Sequence, residues 1–325
     1  MNKKSLIDIK KELIDIGYNF SDFTITSIGD YHPDDADWNY KDSKHVETMH
    51  DSIEFRTSIL EQENLQLAID TQKVIPFLGL KFPLSLVLLE SSKYNFIYYT
   101  AFGPYLMLTN TVIEKHEGNK TKTTSYFSIG SIGFFFKIFH PLVKKTIINN
   151  NKTLMKDDEP MRIRKGLLRK ENHLFYREEK GYSCIESKKI TNSNVYLKPT
   201  IDNFISIKKS EIINASENQI IGNKDGLLSF FITEEENNTK KLWPTTCSHE
   251  GAKLTKKCMK NKSLSCAWHG RRINYILKID SENKIEFKDN MDYACKIIDE
   301  DVIFKFRNDP EYYRRESLKY FRYDN

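Results

Sequence analysis

Apolar residues in the first half of the chain fall into short runs broken by turns. The runs at 84–90, 95–101, 105–114 and 121–129 are separated by Ser91-Ser92-Lys93, Phe102-Gly103-Pro104 and Glu117-Gly118-Asn119. β-Rich runs joined by such turn residues predict an antiparallel meander. Phe135, Ile138, Phe139, Leu142 and Val143 then recur at helical spacing, with Pro141 expected to kink the helix. The triplet Phe134-Phe135-Phe136 reads most simply as core. Upstream, a polar stretch at 37–69 reads as helical, and Leu6, Ile9, Leu13 and Ile16 make the N-terminal segment amphipathic. Short strands and turns return at 204–207, 219–222, 227–232, 273–279 and 302–306, which predicts a small all-β unit.

Strands curved around a long C-terminal helix would form a helix-grip domain of the START or Bet v 1 type, with an apolar pocket. The expected fold class is therefore α+β: a helix-grip domain over 1–170, a polar linker or excursion at 171–199, an all-β domain at 200–310 and a Tyr- and Arg-rich tail at 311–325. A length of 325 residues suits two domains, and a hydrophobic share of 39% supports two cores.

The net charge of +5 arises from 50 basic and 45 acidic residues that are interspersed along the chain, which argues against a nucleic-acid surface. The longest apolar stretches, 74–89 and 128–143, are interrupted by Lys81 and Lys137, so no membrane span is expected. The N-terminus lacks the apolar core of a signal peptide. With five cysteines, an odd number, this points to a reducing cytoplasm and to thiols at Cys184, Cys258 and Cys295.

Two cysteines belong to a motif. Cys247-Ser248-His249-Glu250-Gly251-Ala252 is followed by Cys266-Ala267-Trp268-His269-Gly270, with sixteen residues between His249 and Cys266. Two Cys-and-His pairs at that spacing are a metal ligand set. A structural zinc site uses the same donors, but zinc sites more often pair Cys-x-x-Cys with His-x-x-x-His. Gly251 and Gly270 let backbone pass close to a bulky centre. The motif resembles the Rieske motif, in which two thiolates hold one iron of a [2Fe-2S] cluster and two imidazoles hold the other. That resemblance implies cofactor ligation by Cys247, His249, Cys266 and His269. Ala252 and Trp268 stand where respiratory Rieske proteins carry a disulfide, so the pattern is closer to oxygenase- and ferredoxin-type domains. Arg271 departs from the Trp usual in the oxygenases. Lys253, Lys256 and Lys257 could guide an acidic electron donor.

A second constellation, Asn39-x2-Asp42-x2-His45-x4-His50, lies in the polar stretch. On one continuous helix the two His would be about 140° apart, so sharing a metal needs a bend. The string resembles the mononuclear-iron motif of Rieske non-haem iron oxygenases, the aromatic-ring-hydroxylating α-subunit type, but with the domain order reversed. The resemblance implies a 2-His-1-carboxylate Fe(II) site. Its ligands would be His45, His50 and an Asp from the acidic pair at the end of the domain, Asp158 with Asp157 as fallback. Asp42 would relay electrons from the cluster's His269, within or between chains, and Asn39 would sit near the iron. The implied activity is oxidation of a small apolar organic substrate by O2: hydroxylation, dealkylation or desaturation. A separate reductase or ferredoxin would supply electrons, since no G-x-G-x-x-G follows a strand. A homotrimer is implied by the same resemblance. The alternative is a ligand- or lipid-binding helix-grip module fused to a Rieske electron-transfer domain without a second iron.

Overall fold

The computed structural model describes residues 5–42, 45–50, 53–62, 65–75, 80–118, 120–170, 204–223, 228–247, 251–260, 262–288 and 293–306. The predicted linker and the C-terminal tail lie outside them. The chain divides into two compact units near Gly166.

The N-terminal unit opens with α1 (Leu6–Asp15) and β1 (Tyr18–Gly29), then α2 (Pro33–Lys41) and the single turn α3 (Val46–Met49). A meander follows: β2 (Ile53–Gln62), β3 (Leu65–Ile75), β4 (Leu80–Ser92), β5 (Asn95–Phe102), β6 (Tyr105–Lys115) and β7 (Thr121–Ile132). These strands and β1 form one antiparallel sheet in the order β1-β7-β6-β5-β4-β3-β2. A short turn, α4 (Phe134–Lys137), leads into the long helix α5 (His140–Lys170).

The sheet obeys the period of two. Along β1 half-buried and exposed positions alternate, so one face packs and the other meets solvent. Tyr31, Ala36, Leu88, Phe96 and Ile113 form a buried cluster against which Tyr40, Tyr98 and Ile163 pack, joining α2 and α5 to the sheet. This is the expected helix-grip architecture.

Several local expectations were wrong. The stretch 37–69 is helical only as far as Met49; β2 and the first part of β3 follow. Its polar residues lie on a two-sided strand pair, where charges such as Arg56 and Asp70 pair across the sheet at 2.6 Å and 2.7 Å. The helix expected through Pro141 is interrupted just before it, since α4 ends at Lys137 and α5 begins at His140. Pro141 sits in the first turn of α5, where a missing N–H costs no helical bond. Pro160 lies inside α5. The triplet Phe134-Phe135-Phe136 is not core: Phe134 is 76% exposed.

The C-terminal unit is all-β apart from short helical turns. It contains β8 (Phe204–Lys208), α6 (Lys209–Asn214), β9 (Ile220–Gly222), β10 (Ser229–Glu235), β11 (Thr239–Pro244), β12 (Met259–Lys260), β13 (Ser263–Ser265), β14 (Arg272–Ile273), β15 (Leu277–Ile279), β16 (Ile285–Phe287), β17 (Tyr293–Ile298) and β18 (Asp301–Phe306). The single strand predicted at 273–279 is two strands, β14 and β15, in different sheets. A five-stranded sheet of order β16-β15-β11-β10-β9 and a sheet of order β17-β18-β8 share a core of Phe230, Leu242, Leu277, Tyr293, Val302 and Phe304. The small sheet β12-β13-β14 carries the second cysteine loop.

Candidate functional site

The N-terminal cluster starts with how α2 is ended. His32 caps its start with a capping box, Pro33 occupies the first turn, and Asp34 and Asp35 face the positive end of the helix dipole. The helix stops at Lys41, with Asp42 as its C-cap. His45 and His50 then flank the one-turn α3 as its N-cap and C-cap. The break supplies the bend that a continuous helix would lack, and the two rings lie 5.3 Å apart edge to face.

Helix α5 delivers the carboxylates. Asp158 Oδ1 is 3.3 Å from His45 Nε2 and 3.3 Å from His50 Nε2. The three donor atoms of His45, His50 and Asp158 lie within 4.8 Å of one another. Each imidazole meets a second carboxylate on its other nitrogen: Asp42 Oδ2 lies 3.5 Å from His45 Nδ1, and Asp157 Oδ2 lies 3.3 Å from His50 Nδ1. The first of these contacts is ionic rather than a formed hydrogen bond, since His45 Nδ1 has no hydrogen-bond partner.

Behind Asp158 stands a buried cation. Arg162 donates from Nε and Nη2 to Asn39 Oδ1 at 2.9 Å and 2.7 Å, from Nη1 to the Tyr31 hydroxyl at 3.2 Å, and from Nη2 to Asp158 Oδ2 at 3.4 Å. Asn39 Nδ2 in turn donates to Asp158 Oδ1 at 3.4 Å. Asp158 is thus gripped on both oxygens. Neither Arg162 nor Tyr31 was expected from sequence. The usable signal was Arg162 four residues after Asp158, one helical turn onward on the same face.

The charges follow from this arrangement. Burial disfavours a charged His45, but the carboxylates of Asp158 and Asp42 overcome it and hold its pKa up to about 9. Burial also works against ionised Asp158, yet hydrogen bonds from His45 and His50 and the charge of Arg162 hold its carboxyl well below the usual range. The proton that His45 retains does here what a metal cation would do: with Arg162 it offsets the charge of Asp158.

A cavity of about 160 Å³ adjoins His45, His50 and Asp158. Val46, Leu86, Leu88 and Leu154 supply apolar walls, while Tyr98 and Arg56 also reach it. Tyr98 is half-buried, and the desolvation of its hydroxyl raises its pKa well above the ordinary value and keeps it neutral.

The C-terminal unit holds two loops of the same make. Cys247 N donates to Ala252 O at 2.9 Å and Gly251 N to Cys247 O at 2.8 Å; Cys266 N donates to Arg271 O and Gly270 N to Cys266 O, both at 2.8 Å. Each loop closes four residues after its cysteine on a glycine with positive φ, +87° at Gly251 and +66° at Gly270. Side chains resist that conformation. Cys247 and Cys266 are both buried and their thiols are hydrogen-bonded neighbours. That contact, and then burial, pushes the Cys266 thiol well above its ordinary pKa. Two adjacent buried sulfurs that resist ionising together suit a shared cation, which fits two thiolates on one iron. Arg271, the departure from the oxygenase pattern, places Nη1 3.5 Å from Cys247 Sγ. His269 is half-buried, Trp268 is buried, and His249 lies outside the described residues.

Residues 207–283 match the family model for the Rieske [2Fe-2S] domain. The C-terminal unit therefore carries a Rieske domain, and its chemistry is iron–sulfur electron transfer. No curated protein matches the chain. Several solved structures resemble the N-terminal unit. A protein of Thermus thermophilus is 13% identical over 43% of this chain and 96% of its own, with a TM-score of 0.38. The Zhui aromatase/cyclase of a Streptomyces species is 8% identical over 45% and 96%, with a TM-score of 0.40. A START superfamily protein of Mycobacterium smegmatis is 9% identical over 43% and 96%, with a TM-score of 0.36. Likenesses this distant add nothing beyond the architecture already described. Among the described residues no helix is long and apolar enough to cross a membrane.

Proposed function

We propose that this chain is the oxygenase component of a Rieske-type system that oxidises a small organic substrate with O2, using electrons from a separate reductase or ferredoxin. The observation that carries the reading is the paired arrangement around two histidines: each turns Nε2 toward Asp158 Oδ1 and has its own carboxylate, Asp42 or Asp157, at Nδ1. Metal-ligating histidines are oriented in this way, with the outer nitrogen held by a carboxylate. A ferrous ion held by His45, His50 and Asp158 would supply O2 activation and leave coordination positions open.

The chain's own residues have definable tasks. Asp157, hydrogen-bonded to His50 Nδ1, and Asp42, whose charge lies beside His45 Nδ1, favour a proton on those nitrogens, so that the other nitrogen of each ring presents its lone pair. Arg162 and Asn39 hold the Asp158 carboxylate in one orientation. The walls from Leu86, Leu88 and Leu154 exclude water and admit a small apolar group beside the site. A volume of about 160 Å³ fits only part of a drug-sized molecule. The substrate in this reading is small, or enters with one end.

The test is iron and acid-labile sulfide per chain on anaerobically purified protein. Three irons with two sulfides are expected. Two irons with two sulfides, unchanged after ferrous iron is added, would retire the oxygenase and leave a Rieske electron carrier fused to a ligand-binding module.

A further inference from the structure

Near the start of α5 the N-terminal unit shows a surface unlike the rest of its exterior. Ile132, Phe134, Phe135, Ile138 and Leu142 are each more than half exposed, and Phe136 and Phe139 are at least a third exposed. The rings form a continuous patch. Phe135 lies 5.4 Å from Phe136 and 5.4 Å from Phe139, and Phe136 meets Tyr105 at 6.2 Å. Monomeric proteins seldom leave so concentrated an apolar surface without a use for it.

The patch sits on a firm base. His140, just behind it, is buried and bridges two strands, with Nδ1 2.8 Å from Ser21 Oγ on β1 and Nε2 2.8 Å from Ser131 Oγ on β7. The Tyr105 hydroxyl donates to the Phe136 carbonyl at 3.2 Å. The exposed rings are therefore displayed by fixed backbone.

Charge identifies the occupant. No Asp or Glu occurs between Glu117 and Asp157, while Lys137 lies within the patch and Lys144 and Lys145 follow it. Exposed Phe, Ile and Leu with Lys137 among them and Lys144, over the Phe23 ring, and Lys145 just beyond are the composition of a segment that lies in a bilayer interface, rings among the acyl chains and ammonium groups at the phosphates. A second copy of the chain fits poorly: a two-fold contact would set these lysines near their own equivalents, with no carboxylate in the segment to receive them.

We propose that this face, centred on Phe134, Phe135 and Phe139, docks the protein peripherally on a membrane rich in anionic lipid. The proposal does not depend on the iron site. It is tested with the full chain, by co-sedimentation with vesicles of phosphatidylcholine alone and of phosphatidylcholine with phosphatidylglycerol. Binding is expected mainly to the anionic vesicles. The double change Phe134→Ser and Phe135→Ser should cut partitioning by at least about tenfold, because both rings leave the acyl region. Lys144→Gln with Lys145→Gln should cut it by about fivefold per lysine at low salt. Both pairs are on the surface, so an unchanged thermal melt separates lost docking from lost folding. Absence of binding to either vesicle, or equal binding by the Phe134→Ser, Phe135→Ser variant, would overturn the proposal. Self-association abolished by that variant, without vesicle binding, would assign the face to a second copy instead.

Discussion

The cysteine loops and the histidine cluster reach their geometry by different routes. Each cysteine loop closes on itself within five residues, through two backbone hydrogen bonds and one positive-φ glycine. The histidine cluster joins residues as far apart as Asn39 and Asp158, 119 positions distant, and owes its shape to α5 lying against the sheet. A site of the first kind is written in local sequence and should tolerate changes elsewhere in the fold. One of the second kind depends on side chains that touch nothing the site binds.

Removing one thiolate breaks the comparison most severely. Cys266→Ser should abolish the cluster's visible spectrum and all electron uptake, since a hydroxyl is a poor replacement for a soft anionic ligand. The N-terminal unit should keep its fold and, on the function proposed above, its capacity for a third iron. A variant that retained a reducible cluster would remove Cys266 from the ligand set.

Next come changes at the histidine cluster. His45→Ala should remove the third iron and reduce substrate oxidation to background, with the Rieske spectrum intact. Asp158→Ala should do the same and also destabilise the N-terminal unit by about 3 kcal/mol, because it strips Arg162 of its anion in a buried setting. The His45 variant leaves Arg162 paired and should cost less. Turnover that survived His45→Ala would sink the assignment, and equal thermal melts for the two variants would show that Arg162 finds compensation elsewhere.

What could be read beforehand follows the same division. The ligand words around Cys247 and Cys266 were legible because the loops need particular residues at fixed local offsets. The meander was legible because its strands are bounded by turn residues, and β5, β6 and β7 start where the turns end. The strands β2 and β3 were not, because a pair with polar residues on both faces lacks the alternation that marks a strand. His45, His50 and Asp158 could be named by resemblance as candidate ligands, but Arg162 and Tyr31 could not be named at all. A lone Arg on a helix is ordinarily surface, and only the packing of α5 buries this one. Phe134-Phe135-Phe136 misled for the converse reason: hydrophobicity predicts burial against something, without saying that the something belongs to the same chain.

The smallest expected effect sharpens the comparison most, because it isolates backbone from ligand chemistry. Gly251→Ala and Gly270→Ala add one methyl each and touch no donor atom. An L-residue at positive φ costs about 1–2 kcal/mol, and φ of +87° at Gly251 lies further from the tolerated left-handed region than +66° at Gly270. Both variants should lower the melting temperature of the Rieske unit and speed loss of the cluster, Gly251→Ala more than Gly270→Ala, while the third iron is retained. Gly270→Asn should recover most of the loss, since Asn enters the left-handed region more readily than Ala. If Ala and Asn at 270 behaved alike, strain would not be the cause, and crowding of the added side chain against the cluster would replace it.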